Sequence, residues 1–178
     1  MTTTTANFQN AKTKAEEILR ENYITTPPVD VYEIARNEGL EIETKDFGDE
    51  FNNISGYIKP GIRTIYVNSR DSENRRKFTV AHELGHWLLH RNKLEEEPEK
   101  YAILYRIPLG RSSGDPVEQE ANCFAANLLV PEALLAERMT HAHTEEQLSQ
   151  EFMVSKDVIG YRVANLESRA TAKNGRPN

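Results

Sequence analysis

Apolar residues recur along the chain in two rhythms, and the changes between them mark out its elements. Phe8, Ala11, Ala15, Ile18 and Leu19 fall at helical spacing and predict a first helix over residues 6–22, stopped by Thr-Thr-Pro-Pro at 25–28. Asp30 with Glu33 has the form of a capping box for a short helix through Asn37, closed by Gly39. The period then shortens to two. Leu40, Ile42 and Thr44 alternate with glutamates, and the β-rich runs Ile54–Lys59 and Ile62–Asn68 are joined by Pro60-Gly61 as a hairpin. A small, mostly antiparallel sheet of three strands is expected.

From Ser72 the period is helical again. Phe78, Ala81, Leu84 and Leu88 form one stripe, and the helix is expected to run to Leu89 or His90. A polar connection, Arg91 to Gly114, carries Glu95-Glu96-Glu97 and an apolar island at Tyr101–Leu109; its length is unusual for a plain loop. Asp115, Pro116 and Glu118 supply the N-cap, first-position proline and third-position carboxylate of the next helix, which Pro131 ends. Another helix begins there. Thr144 and Gln147 cap a further one, and Ser155 opens the last, through about Glu167. The expected class is α+β, the sheet packed on the long helix with a helical pair at the C-terminus. The expected division is a main domain over 1–140, the helical pair over 141–168 and a flexible tail over 169–178.

Composition narrows the function. Lys and Arg number 22 against 28 Asp and Glu, a formal net charge of −6, so direct nucleic-acid binding would need a concentrated basic face. A lone cysteine, Cys123, excludes an intrachain disulfide framework and a Cys-rich zinc site. It reads as core packing. No apolar run approaches the roughly 18 residues of a membrane span, and Met1-Thr-Thr-Thr-Thr is not a secretory signal, so a cytoplasmic protein with no membrane role is expected.

The chemistry lies at 82–86, His-Glu-Leu-Gly-His, inside an apolar helical segment. His82 and His86 project from one face a turn apart, so both imidazoles can reach one ion. Glu83 sits about 100° round the helix, where a carboxylate can take a proton from water activated by that ion. A solvated histidine pair is the plain alternative, but Phe78-Thr-Val-Ala81 and Trp87-Leu-Leu89 make the helix a buried one, where such groups need a partner. A third ligand is expected. On the helix that begins at Pro116, Glu118 falls about 45° from the apolar stripe and Glu120 about 115°, so Glu118 is the better-facing ligand and Glu120 the alternative. Glu118 at the third helical position also reads as an ordinary cap. Asn122, one turn after Glu118, can hydrogen-bond a ligating group, and helix drift makes His90 a cleft-wall residue or a support for a ligand. His141 and His143 lie in a polar link and read as solvated. Tyr57, Tyr66, Tyr101 and Tyr105 are the phenols available to a transition state.

Arg76–His90, then Glu118–Pro131, with Pro28–Ala35, Ile54–Tyr57 and Ile65–Asn68 upstream, resembles the ImmA/IrrE family of zinc metallopeptidases over about residues 8–168. Val130 stands where the family often has Met, a conservative departure. The resemblance implies a zincin-like domain with Zn2+ held by His82, His86 and Glu118, and Glu83 as catalytic carboxylate. It also implies limited proteolysis of a partner helix-turn-helix repressor, in phage, mobile-element, stress or toxin-antitoxin regulation. The alternative is a zinc-containing regulator that acts on repressor or DNA by binding alone. Residues 144–167 have a helix-turn-helix outline, but Lys156, Arg162 and Arg169 against Asp157 and Glu167 make a weakly basic second helix. A packing hairpin is the expected role.

Overall fold

The structure is a computed structural model that describes residues 5–51, 53–96, 114–141 and 143–174, with side chains through residue 168. Among these residues the elements in chain order are α1 (Phe8–Glu21), α2 (Val31–Asn37), β1 (Glu41–Lys45), β2 (Gly56–Lys59), β3 (Thr64–Asn68), α3 (Glu73–Glu96), α4 (Pro116–Leu129), α5 (Glu132–Met139), α6 (Glu145–Phe152) and α7 (Lys156–Asn174). The local signals explain most of these boundaries. Asn7 caps α1 by accepting the Asn10 N–H, Asp30 caps α2, and Asp115 caps α4 through the Val117 N–H. Gly39, at φ +77°, ends the α2 segment in the left-handed region.

The sheet is mixed, which corrects the mostly antiparallel expectation. Its order is β1-β3-β2; β2 pairs antiparallel with β3, while β1 pairs parallel with it, Glu41 opposite Thr64. Residues between β1 and β2 carry the chain past β3's place, so the hairpin returns β3 into the middle. β3 is buried at every position, as a central strand should be, and β1 is mostly exposed, as an edge is. One face of the sheet lies on α3. β2 occupies the opposite edge.

α3 also outruns its expected end near His90. Leu94 is buried and prolongs the apolar stripe, and Arg91 pairs with Glu95 one turn on at 2.8 Å, so the helix continues to Glu96. The connection over 97–113, with Tyr101 and Tyr105, lies outside the described residues. α3 packs chiefly on α4, and α4 in turn on α1. Phe124, Leu84, Leu128, Ile65 and Ile18 belong to the one core so formed.

The C-terminal helices form a packed pair. Thr144 and Gln147 complete a capping box on α6, and Met153 ends it at φ +54°. Leu148, Phe152, Val154 and Ile159 are buried in the same core. α7 runs past Glu167 to Asn174, so residues 169–174 of the expected tail are helical. Arg162, one of the few cations available for a DNA-reading surface, is buried, and its Nε–H donates to the Val130 carbonyl at the end of α4 at 3.0 Å. A cation on a helix C-terminus answers both its unpaired carbonyls and its dipole. Lys156 is paired with Glu146. Among the described residues, Arg162 and Lys156 are thus both engaged in contacts within the protein.

Candidate metal centre

Gly85 sets the distance between the two helices that build the site. A Cβ there would lie 2.9 Å from the Phe124 ring and 3.3 Å from the Ala121 backbone, so only glycine lets α3 approach α4 this closely. Glu118 stands one turn before Ala121 and is carried over the histidines by that approach. Gly85→Ala is expected to lower divalent-ion affinity about tenfold, because displaced α4 takes the carboxylate with it. Overpacking of about 1–3 kcal/mol outweighs the better helix propensity of alanine, about 1 kcal/mol, so Tm falls by a few degrees. Chelator competition and thermal melting check this; unchanged values in both would refute it.

The three side chains converge. His82 Nε2 and His86 Nε2 are 2.9 Å apart, and the Glu118 carboxylate reaches them at 3.2 and 3.1 Å. Their ligand atoms all lie within 4.8 Å of one another, the group among the described residues able to hold a metal ion. The outer face of each ring is held. His82 Nδ1 lies 3.0 Å from Asn122 Oδ1, an acceptor, so the proton is on Nδ1 and Nε2 is turned inward. His86 Nδ1 lies 3.3 Å from His90 Nδ1. Glu83 Oε2 is buried without a hydrogen-bond partner among the described residues, and buried Glu118 Oε1 has only the His86 nitrogen beside it. Two inward nitrogens, a buried carboxylate and an unpartnered Glu83 oxygen suit a cation better than they suit one another.

Electrostatics agree. Burial lowers the His82 pKa, but the Glu118 carboxylate beside it prevails, and the ring sits above its ordinary value. Burial works against the Glu118 anion too, yet the two histidines hold its carboxyl far below the usual range. Burial and the His82 charge push His86 down to about 4, because two imidazolium ions cannot stand 2.9 Å apart. Burial raises Glu83 to about 8, against the pull of His82.

This has a consequence for the metal-free protein. Up to about pH 8 the folded state keeps a proton on Glu83 that the unfolded chain has released, and the raised His82 acts in the same direction. Both folded values are raised, so their contribution is complete at lower pH and is lost as pH rises through the folded values. His86 and His90, both lowered, oppose this near pH 6.5, where the unfolded imidazoles lose their protons, so metal-free Tm is expected to fall from about pH 7 to 8, and Glu83→Gln to flatten the fall. A rising wild-type Tm over that window would contradict it.

Among the other sequence candidates, Glu120 is not in the cluster; its Oε2 lies 2.8 Å from His90 Nε2. His90 is buried beside His86, their Nδ1 atoms 3.3 Å apart. His141 and His143 stand in the link before α6, and His143 Nε2 is 3.9 Å from Glu151. Tyr57 and Tyr66 stack at 5.0 Å on the sheet. Gly56 faces α3, so the pleat turns Tyr57 away from the site. Cys123 is buried. Sequence reasoning missed the Ile58 backbone N–H, which bonds Glu83 from β2. The glycine that opens β2 was its only trace, since glycine in a strand marks close backbone approach.

Fold and cluster together are those of an α+β domain with three side chains placed so that they could hold a metal ion. Residues 35–164 match the family model described as IrrE N-terminal-like domain, a peptidase family, and the chain belongs to that family. It is 24% identical over 140 residues to Metallopeptidase ImmA of Bacillus subtilis (strain 168), covering 78% of this chain and 77% of that protein. Among solved structures it is similar to a Mycobacterium tuberculosis transcriptional regulator, with a TM-score of 0.64 and 17% identity over 87% of this chain. The chain spans 47% of that structure's length, and the likeness is one of fold. No helix among the described residues is long and apolar enough to cross a membrane.

Proposed function

We propose that the chain is a zinc-dependent metalloendopeptidase of the cytoplasm whose substrate is a helix-turn-helix repressor encoded beside it. The observation that carries this reading is the convergence of His82, His86 and Glu118 with Glu83 held alongside, its Oε2 without a partner among the described residues. Two neutral imidazoles and one carboxylate are a donor set that suits zinc and leaves part of its charge uncancelled. A zinc ion held there supplies Lewis acidity, polarising a carbonyl and lowering the pKa of water.

The chain's own residues do the rest. Glu83 takes the proton of the attacking water on its carboxylate and returns it to the departing amine. Asn122 keeps His82 turned inward. Among the described residues β2 is an edge strand, and its Ile58 N–H reaches Glu83, so an extended substrate segment can be aligned beside it by strand addition. Proline at an outward position of β2 should then block cleavage and spare zinc binding; unaffected cleavage rules strand addition out. In this reading residues 1–140 form the peptidase unit and 141–168 support it.

Incubation with the neighbouring repressor tests the whole proposal. Cleavage should occur, stop with a zinc chelator and return with added zinc. Cleavage that persists in chelator overturns the metal mechanism, and a repressor left intact by the zinc-loaded protein overturns the substrate.

A further inference from the structure

We propose that His90 and Glu120 are positioning residues, forming with His86 a hydrogen-bonded chain that fixes the His86 tautomer and aims its Nε2 lone pair at the metal centre. This deepens the proposed function and rests on the reading of His86 as a ligand. It uses two residues that the mechanism otherwise leaves idle, both drawn close to a ligand by α3 and α4.

The geometry orders the protons. Glu120 Oε1 accepts the Asn7 N–H at 2.7 Å, and its Oε2 lies 2.8 Å from His90 Nε2. An ionised carboxylate only accepts, so His90 Nε2 must carry the hydrogen. In a neutral ring the other nitrogen then holds a lone pair. His90 Nδ1, 3.3 Å from His86 Nδ1, can only accept, which obliges His86 Nδ1 to donate. His86 Nε2 is left with its lone pair, facing His82 Nε2 and the Glu118 carboxylate.

The chain is well anchored. His90 is 4% exposed and lies one turn beyond His86 on the same helix face. Glu120 comes from α4, which also supplies Glu118 and Asn122. Asn7 is the residue that caps α1, so the far end of the chain is tied to a third helix. Each ligating imidazole thus has its own backing, a single amide for His82 and a histidine–glutamate pair for His86. Groups that orient a metal ligand from behind change metal affinity by roughly 10–100-fold when removed.

The test reads tautomers in the metal-free protein by 15N NMR with labelled histidine, and zinc affinity separately by chelator competition. His86 should be protonated at Nδ1 and His90 at Nε2. His90→Leu and Glu120→Leu should each leave His86 a mixture of tautomers and weaken zinc about tenfold or more. His90→Gln, whose amide oxygen can accept the same hydrogen, should stay within about threefold of wild type. Wild-type His86 protonated at Nε2 overturns the proposal. So does a His86 whose tautomer and zinc affinity survive both leucine variants. Should a leucine variant not fold, the wild-type spectrum still decides. A wild-type protein in the expected tautomers that binds no zinc overturns the metal reading instead, and so separates the two.

Discussion

Glu83→Gln is expected to reduce cleavage of a protein substrate by about a thousandfold while leaving fold and zinc binding in place. Glutamine has the same shape, so the core around position 83, only 2% exposed, is undisturbed. What changes is the ability of the side chain to accept and return a proton, since an amide does neither at neutral pH. The proposed metal ligands are other residues, so zinc affinity measured by chelator competition should stay within a fewfold of wild type. The substitution also removes a buried ionisable group, and the metal-free variant should be at least as stable as wild type at pH 8, where the native carboxyl is ionising. A zinc-loaded variant that cleaves at the wild-type rate would falsify the peptidase mechanism. If instead cleavage stops and the biological effect persists, the protein acts by binding alone.

The second large effect concerns the fold. Gly56→Ala should lower stability by about 3 kcal/mol, the upper range for overpacking, and Tm by roughly 6–12 °C. A Cβ at this position would lie 2.5 Å from the Tyr66 carbonyl oxygen and 2.4 Å from Thr79 Cγ2. The first is backbone of the central strand, so it cannot swing aside. The second belongs to α3, with Thr79 buried and its hydroxyl bonded to the Arg75 carbonyl. Relief requires β2 to move off α3, which withdraws Ile58 from Glu83. Activity should therefore fall even at temperatures where the variant is folded, and a Tm within two degrees or so of wild type would refute the argument.

How much of this was legible beforehand depends on the range of each interaction. Asp30, Asp115, Thr144 with Gln147, and Pro131 act on backbone groups a few residues away, so the helix starts they predict are the ones observed. His82 and His86 share a face because helix geometry is local, and the wheel that ranked Glu118 above Glu120 reflects which side of α4 meets α3. The end of α3 was harder to read. Leu94 could extend the stripe only if something covered it, and its burial is decided by the rest of the chain. The neighbour of β1 was illegible, because alternation assigns a residue to a face and says nothing of which strand lies beside it.

The sequence by itself determined the helices, the paired imidazoles, the carboxylate beside them and the absence of thiols for a Cys-rich metal site. Each follows from periodicity or residue chemistry within a few turns. Only the tertiary structure decided that β3 is central with β1 parallel to it, that Arg162 closes the end of α4, and that Glu120 pairs with His90 and lies outside the group of His82, His86 and Glu118. These depend on how closely separate elements approach. Side chains the size of hydrogen at Gly56 and Gly85 set two of those approaches, and a sequence records the residues without recording what they lie against.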